Sequence, residues 1–465
     1  MDSYTYQDFE NARDKRQFVM SAINAHAASE LCKTAEVADL YDRQRNPTIE
    51  SYVQTIFTLT GNPVEDFTAS NNKIASNFFN RLNTQRVMYS LGNGVSFVQP
   101  DEAGVDETKE KLGESFDHEI KEAAYYASIH GESYVFWNLD RIHVFKATEF
   151  VPLWDERDGR LRAGIRHWRL AANKPMTAVL YEEDGYTTYR TNADGGELVE
   201  VEQKRAYKTQ YQYVPADGTA EVIGEENYGA LPIVPMWVSR LKQSTLVGMR
   251  SSIDSYDLIR SGFANDLTDC SEIYWIVSNA GGMTDSDLAR FRDRLKITHI
   301  ANVDTDAGAG ATPYTQDVPY LAREAYLKLI RDGLYEDFGA LDVHTVAAGA
   351  TNDHIDAAYQ PMDENADDFE YWVGECIKQV LALQGIDDLP VFRRNKVSNM
   401  REQVETVVME AQWLDAATVL RKLPNITPEE AVSIMESADG EDMQRFGIAE
   451  DDEMQGLHAM RPASG

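Results

Sequence analysis

Two long helical runs, residues 250–272 and 320–341, bracket a short insert of mixed pattern at 273–319, and this order constrains the fold more than any single motif. Ile253, Tyr256, Ile259, Phe263 and Leu267 recur at helical spacing in the first run, and Leu327, Ile330, Leu334 and Phe338 in the second. At ~1.5 Å per residue the first helix reaches roughly 35 Å, longer than the average globular helix. Two such helices joined by a small insert lie side by side and carry it away from the body, as a stalk carries a tip. A stalk of charged amphipathic helices needs partners, and identical copies in a closed ring are the simplest supply.

The remaining chain reads as an α+β body. Residues 1–60 read as helical, punctuated by Asn46-Pro47, with Gly61-Asn62-Pro63 beyond. Helical spacing over Asn71–Phe97 gives way at Gly92-Asn93-Gly94 to a short strand, and a second helix is predicted from Asp106 to Ile129, ended by Gly131. From Ser133 to about Val238 the period becomes two (SYVFW, RIHVF, EFVPLW, LRAGIRHWRL, MTAVLYEE, LPIVPMWV), an antiparallel β module whose prolines near its end suit an edge strand. Within the insert, IYWIV and ITHIANV read as strands, Thr284 to about Lys296 as a helix with capping-box spacing to Asp287, and 306–311 as a glycine-alanine loop. After the second long helix come the breaker-rich LDVHTVAAGATND and a helix to about Gln384, entered or interrupted at Gln360-Pro361. The tail reads as a strand (LPVFRRN), helices near 404–420 and 428–437, and an acidic end expected to be poorly ordered.

Charge and motifs narrow the chemistry. With 77 acidic against 44 basic residues the formal charge is -33, which repels a polyanion, so any nucleic-acid contact is loose or local. Cys32, Cys270 and Cys376 are too few and too scattered for a disulfide framework or a CxxC metal site, and no run of 18 apolar residues suggests a membrane span. The chain carries none of GxxxxGK[ST], GxSxG, HExxH or a strand-to-helix GxGxxG. Asp304-Thr305-Asp306 lacks the glycine placement of a calcium loop, and Thr315 stands where a bidentate carboxylate is required. His344 and His354 with Asp342, Asp353 and Asp356 have no ligand spacing, so no metal or cofactor is expected. Asp363, Glu364, Asp367 and Asp368 offer either a two-metal nuclease cluster or, more simply, a solvated helix face near an N-terminus.

Five ordered segments carry a resemblance: NNKIASNFFNRLNTQRVMYSLGNGVSF, HGESYVFWNLDRIHVFKATEFVPLWD, LPIVPMWVSR, GMRSSIDSYDLIRSGFANDLTDCSE and VFRRNKVSNMREQVETV. In these, across most of residues 40–440, the chain resembles the tailed-phage portal family, in the branch of SPP1-like portals. The resemblance implies a twelve-fold ring at one capsid vertex of the virion, made in the host cytoplasm and conducting double-stranded DNA during packaging and ejection. It implies a mixed α/β wing at 1–249, stem helices at 250–272 and 320–341, an α/β clip at 273–319, a tunnel loop at 342–352, a kinked wing helix at 353–384 and a short helical crown with tail at 385–465. Implied partners are further copies of the chain, viral DNA, the terminase motor, the head-completion adaptor, and major capsid and scaffolding proteins, with no membrane and no catalysis.

Two segments become candidate contacts on this reading. Val343, His344, Thr345, Val346, Ala347, Ala348 and Gly349 form a small, largely apolar stretch that suits a constriction facing DNA, although composition alone reads it as a helix-helix connection. Arg290, Phe291, Arg292, Arg294 and Lys296 on the insert helix suit either a solvated face or contact with an adaptor, motor or DNA at the mouth. The competing functions are a metal-dependent nuclease and an acidic oligomeric scaffold or adaptor without a channel.

Overall fold

The first helices begin on side chains that accept from their own first turn. Thr5 and Asp8 form a reciprocal capping box for α1 (Tyr6–Asn11), Asp14 caps α2 (Lys15–Ala27) and Ser29 caps α3 (Glu30–Asp42). Asn46 caps the one-turn α4 (Pro47–Glu50), with Pro47 where no N–H is needed. The computed structural model describes residues 4–57, 61–66, 69–98, 107–192, 196–214, 219–269, 274–278, 284, 286–287, 310–314, 320–342, 352–396, 404, 407–413 and 419.

The helical reading of residues 1–60 stops short, because β1 (Thr55–Phe57) pairs antiparallel with β2 (Pro63–Glu65). An extended stretch then enters α5 (Phe78–Leu91), followed by β3 (Val95–Val98). The single helix expected over 106–129 is two, α6 (Glu107–Leu112) and α7 (Phe116–His130). Gly113 divides them at φ +85°, with the Asp140 carbonyl oxygen 3.0 Å from where a Cβ would stand. Gly131 ends α7 in the left-handed conformation, as its sequence predicts.

The β module comprises β4 (Ser133–Asn138), β5 (Arg141–Lys146), β6 (Phe150–Trp154), β7 (Leu161–Trp168), β8 (Thr177–Glu182), β9 (Gly185–Thr191), β10 (Leu198–Arg205), β11 (Lys208–Val214), β12 (Thr219–Glu226) and β13 (Ile233–Met236). These strands pair antiparallel in two sheets, ordered β13-β4-β5 and β10-β9-β8-β7-β6, with β11 and β12 as a separate hairpin. Pro235 sits on β13, an edge strand, where its missing N–H is tolerated. The sheets meet through an aromatic core of Tyr134, Phe136, Phe145, Phe150 and Tyr181. A Cβ on Gly164 would fall 2.0 Å from the Phe150 ring, so only glycine leaves that ring its seat. On the five-stranded sheet's other face, Phe9, Phe18 and Val19 pack against Val151, Leu153, Ile165 and Leu180. The three-stranded sheet is backed by α7, through Phe116 and Ile120.

The second half holds α8 (Leu246–Asp269), β14 (Tyr274–Ser278), β15 (Gly310–Tyr314), α9 (Tyr320–Phe338), α10 (Asn352–Ala382) and β16 (Leu389–Phe392). β14 pairs with β15, so a strand begins within the stretch expected to be a glycine-alanine loop. The strand expected at ITHIANV lies outside the described residues, as do most of the tail helices. The Thr284–Asp287 capping contacts form, at 3.0 Å and 2.7 Å. α10 runs through Pro361 as one helix, and its Phe369, Val373 and Ile377 join the core around α7. β16 pairs antiparallel with β3, bringing residues 389–392 beside residues 95–98. Among the described residues no helix is long and apolar enough to cross a membrane.

Candidate functional site

α8 and α9 lie antiparallel and are anchored at one end. Leu246, Met249 and Ile253 of α8 share a core with Leu334 and Tyr335 of α9, completed by Phe78, Phe79 and Leu82 of α5 and Ala38 and Tyr41 of α3. At the other end Arg323 of α9 pairs with Asp266 of α8 and lies over the Phe263 ring at 5.8 Å. Leu267 and Leu321, also towards that end, are 57% and 66% exposed, so little of this chain covers them.

The first long helix also buries a line its apolar spacing does not show. Asp257, Ser261 and Asn265, four residues apart, are all buried. Against them lies the extended stretch 71–76. Ser76 N–H donates to Asp257 Oδ1 at 2.9 Å, Ile74 N–H to Ser261 Oγ at 3.0 Å, and Asn72 N–H to Asn265 Oδ1 at 2.6 Å. Four residues of helix rise ~6 Å and two residues of extended chain ~6.6 Å, so the two ladders stay in register over three rungs. The Asn46 amide adds a 2.8 Å donation to Asp257 Oδ2. Burial pushes the Asp257 carboxyl up, and the donations from Asn46 and Ser76 oppose it. Nearby, Tyr41 O–H and Thr48 Oγ1 both donate to Asp254. The sequence signal was there: polar residues at i, i+4 and i+8, interrupting an otherwise amphipathic pattern.

The acidic cluster of α10 is occupied by cations of its own chain. Asp363 accepts from Tyr89 O–H at 2.6 Å, Arg394 Nη1 at 3.0 Å and Lys396 Nζ at 2.7 Å. Arg394 also forks onto Glu370 at 3.0 Å and 2.9 Å and reaches Asp367. Burial pushes the Asp363 carboxyl up, but the donations from Lys396, Tyr89 and Arg394 outweigh it and hold it below the usual range. Asp368 accepts from Trp372 Nε1 at 3.2 Å, and Glu364 accepts from Gln360 at 3.4 Å. The oxygens a metal pair would need on Asp363 and Asp367 thus face a guanidinium and an ammonium. Of the carboxylates near His344 and His354, Asp342 pairs with Arg331 at 2.7 Å and Asp356 with Lys396 at 3.8 Å. Among the described residues no group of three metal-binding side chains converges.

Arg86 of α5 links the paired helices to α10. Its buried guanidinium lies 5.3 Å from the rings of both Phe338 and Phe369 and donates to Ser128 Oγ at 2.9 Å. Burial pulls its pKa down to about 10, opposed by the charge of Asp368. Asn365 of α10 donates to the Phe338 carbonyl at 2.6 Å, and Gln85 to the Leu341 carbonyl at 2.9 Å. The chain is therefore held firmly up to Asp342. Val343, His344, Thr345, Val346, Ala347, Ala348 and Gly349 lie outside the described residues, as do Arg290, Phe291, Arg292, Arg294 and Lys296.

Comparison with known proteins adds a consistent finding. A family model described as phage portal protein, SPP1 Gp6-like, matches residues 22–445. The portal protein of Clostridium phage phiCD119 is 23% identical over 385 residues, 76% of this chain and 82% of the relative. That of Bacillus phage SPP1 is 22% identical over 436 residues, 87% of this chain and 84% of the relative. A solved structure described as the neck of an empty GTA particle, computed with C6 symmetry, aligns at TM-score 0.44 and 10% identity over 76% of this chain and 91% of that one.

Proposed function

This chain belongs to the SPP1 Gp6-like family of phage portal proteins, and from that premise we propose that it is the subunit of a dodecameric ring at one capsid vertex, a conduit for double-stranded DNA and the docking point of head and tail components. The observation that carries the reading is the family match over residues 22–445 together with a long helix pair rooted in the body at one end. In this reading residues 250–272 and 320–341 are the stem, 273–319 the clip, 1–249 with 353–384 the wing, 342–352 the tunnel loop, and 385–465 a short crown and tail. The ring forms a head-tail connector of the virion, with terminase, adaptor, capsid and scaffolding proteins as its partners.

Charge supports a conduit that does not grip its cargo. Twelve copies at -33 each sum to -396, so counterion release cannot hold DNA along the wall. The role is structural rather than catalytic, in keeping with the cation-filled carboxylate cluster on α10.

Native mass spectrometry and end-on class averages of the full chain test the ring. The expected particle is twelve copies of 52.4 kDa, about 629 kDa, with a central hole. A chain that stays monomeric under every condition, or assembles without a hole, overturns the proposal.

The DNA-facing role of Val343 to Gly349 rests on the family resemblance and on their small apolar character. Replacing the seven residues by a glycine linker is expected to leave ring assembly unchanged and to lower the yield of DNA-filled particles by about tenfold, since the helix flanks are anchored independently. Unchanged DNA filling removes the role. Arg290, Phe291, Arg292, Arg294 and Lys296 are proposed as partner contacts at the ring mouth.

A further inference from the structure

The sequence holds one Asn-Gly pair, Asn93-Gly94, in the turn between α5 and β3. An asparagine followed by glycine is the pair most open to attack on its own side chain, because glycine has no Cβ to shield its backbone nitrogen. Here the glycine cannot be exchanged for a larger residue. Gly94 has φ +76°, and an added Cβ would fall 2.5 Å from Asp117 Oδ2, while Asp117 Oδ1 accepts from the Val95 N–H at 3.1 Å. The Asn93 side chain is exposed, so water reaches it.

Two hydrogen bonds occupy the groups that would react. The Gly94 N–H donates to the Leu91 carbonyl at 3.1 Å, which fixes the attacking nitrogen in the turn. Asn93 Nδ2 donates to the Arg393 carbonyl at 3.1 Å, which ties the amide to a segment 300 residues along the chain. That segment is docked by contacts of its own. Val391 and Phe392 of β16 pair with Ser96 and Val95, and the Asn395 N–H donates to the Tyr89 carbonyl at the end of α5 at 2.8 Å. Arg394 forks onto Glu370 and reaches Asp363 at 3.0 Å. The Asn93 contact is neutral and exposed, so it contributes little alone, and the charge-assisted, part-buried clasp of Arg394 is the stronger hold.

We propose that Asn93 is a gated modification site, intact while residues 389–396 are docked and converted to aspartate or isoaspartate when they release. On release the Gly94 nitrogen bonds to Asn93 Cγ, the Cγ–Nδ2 bond breaks, and Nδ2 leaves as ammonia with the Gly94 proton. Water then opens the succinimide ring at either carbonyl. Both products put an acceptor-only carboxylate where a donor faced the Arg393 carbonyl, and isoaspartate also lengthens the main chain by a methylene. Re-docking is weakened, so the conversion records how long the segment has been free. The inference does not depend on the ring reading.

The test ages the full-length chain in mildly alkaline buffer and follows the peptide containing Asn93 by mass spectrometry. Folded wild type is expected to convert at least about tenfold more slowly than the same chain in urea, because the reaction waits for local opening. Arg394→Ala is expected to convert about tenfold faster than folded wild type, with amide exchange in β7 and β8 unchanged. Asn93→Asp, which is one of the products, is expected to raise the exchange rate of the Asn395 amide. These results together support the gate. Equal rates in folded and unfolded wild type, or no conversion in either, overturn it. An Arg394→Ala chain that converts at the wild-type rate, or that also loses protection in β7 and β8, overturns the clasp as the gate. An unchanged Asn395 amide in Asn93→Asp overturns the weakened re-docking.

Discussion

Replacing Asp257 with alanine is expected to destabilise the fold by about 2–3 kcal/mol, because it leaves one buried and one half-buried donor without an acceptor. The Ser76 N–H and the Asn46 amide both lose their partner, and the Asn46 amide is itself buried. An orphaned buried donor costs about 1–3 kcal/mol, whereas the charge removed was already disfavoured by burial, so hydrogen-bond loss dominates. Asp257→Asn should cost less, about 1–2 kcal/mol: one oxygen still serves Ser76, while its new N–H₂ group confronts the Asn46 amide. Urea unfolding of both variants checks the ranking, and hydrogen exchange checks the register. Amides 72, 74 and 76 should be protected in the wild type and 73 and 75 should exchange quickly, because only the first three donate into the ladder. Equal midpoints for Asp257→Ala and wild type, or uniform exchange along 71–76, would refute the ladder as a source of stability.

Acid should loosen the packing of α2 on the five-stranded sheet through His167, by up to about 3 kcal/mol. Burial, and secondarily the charge of His26, depress the His167 pKa from 6.5 to about 4. The unfolded chain binds a proton at this residue below about pH 6.5, whereas the folded chain resists until about pH 4. The contribution is therefore complete above pH 6.5 and is lost progressively as pH falls towards 4. His167→Gln keeps polarity and removes the titration. The expected result is a wild-type melting temperature that drops between pH 7 and 5 by about 1–2 °C more than that of the variant, as about 1–2 kcal/mol produces in a chain of this length. Parallel pH profiles for the two proteins would rule His167 out as the sensor.

The helix ends and the β module were legible because their causes are local. Asn46-Pro47 and Gly131 act through the backbone of a few neighbouring residues, and the period-two runs from Ser133 onward specify strands whatever they pack against. The split between α6 and α7 was harder to read. Gly113 has helix-compatible neighbours, and what reserves its left-handed position for glycine includes the Asp140 carbonyl, which arrives from the β4–β5 turn. Helical spacing in α8 foretold the contact with α9 through Ile253, Tyr256 and Phe263 and missed Asp257, Ser261 and Asn265. Polar residues on a helix ordinarily face water, and only an extended strand crossing at matching pitch turns them inward. The acidic quartet on α10 reads along the sequence as a metal cluster or, more simply, a solvated face, and its ion pairing is hidden for the converse reason: its neutralising cations, Arg394 and Lys396, come from beyond β16.

The sequence alone determined the order of helical, β and helical parts, the long helix pair with its insert, the acidic charge and the family, since each depends on period, composition or ordered motifs along the chain. Tertiary structure decided which polar side chains are buried and satisfied and which carboxylates are neutralised. Those outcomes depend on what meets a residue from far along the chain, and hydrogen-bond satisfaction, ion pairing and burial are properties of that meeting rather than of either segment.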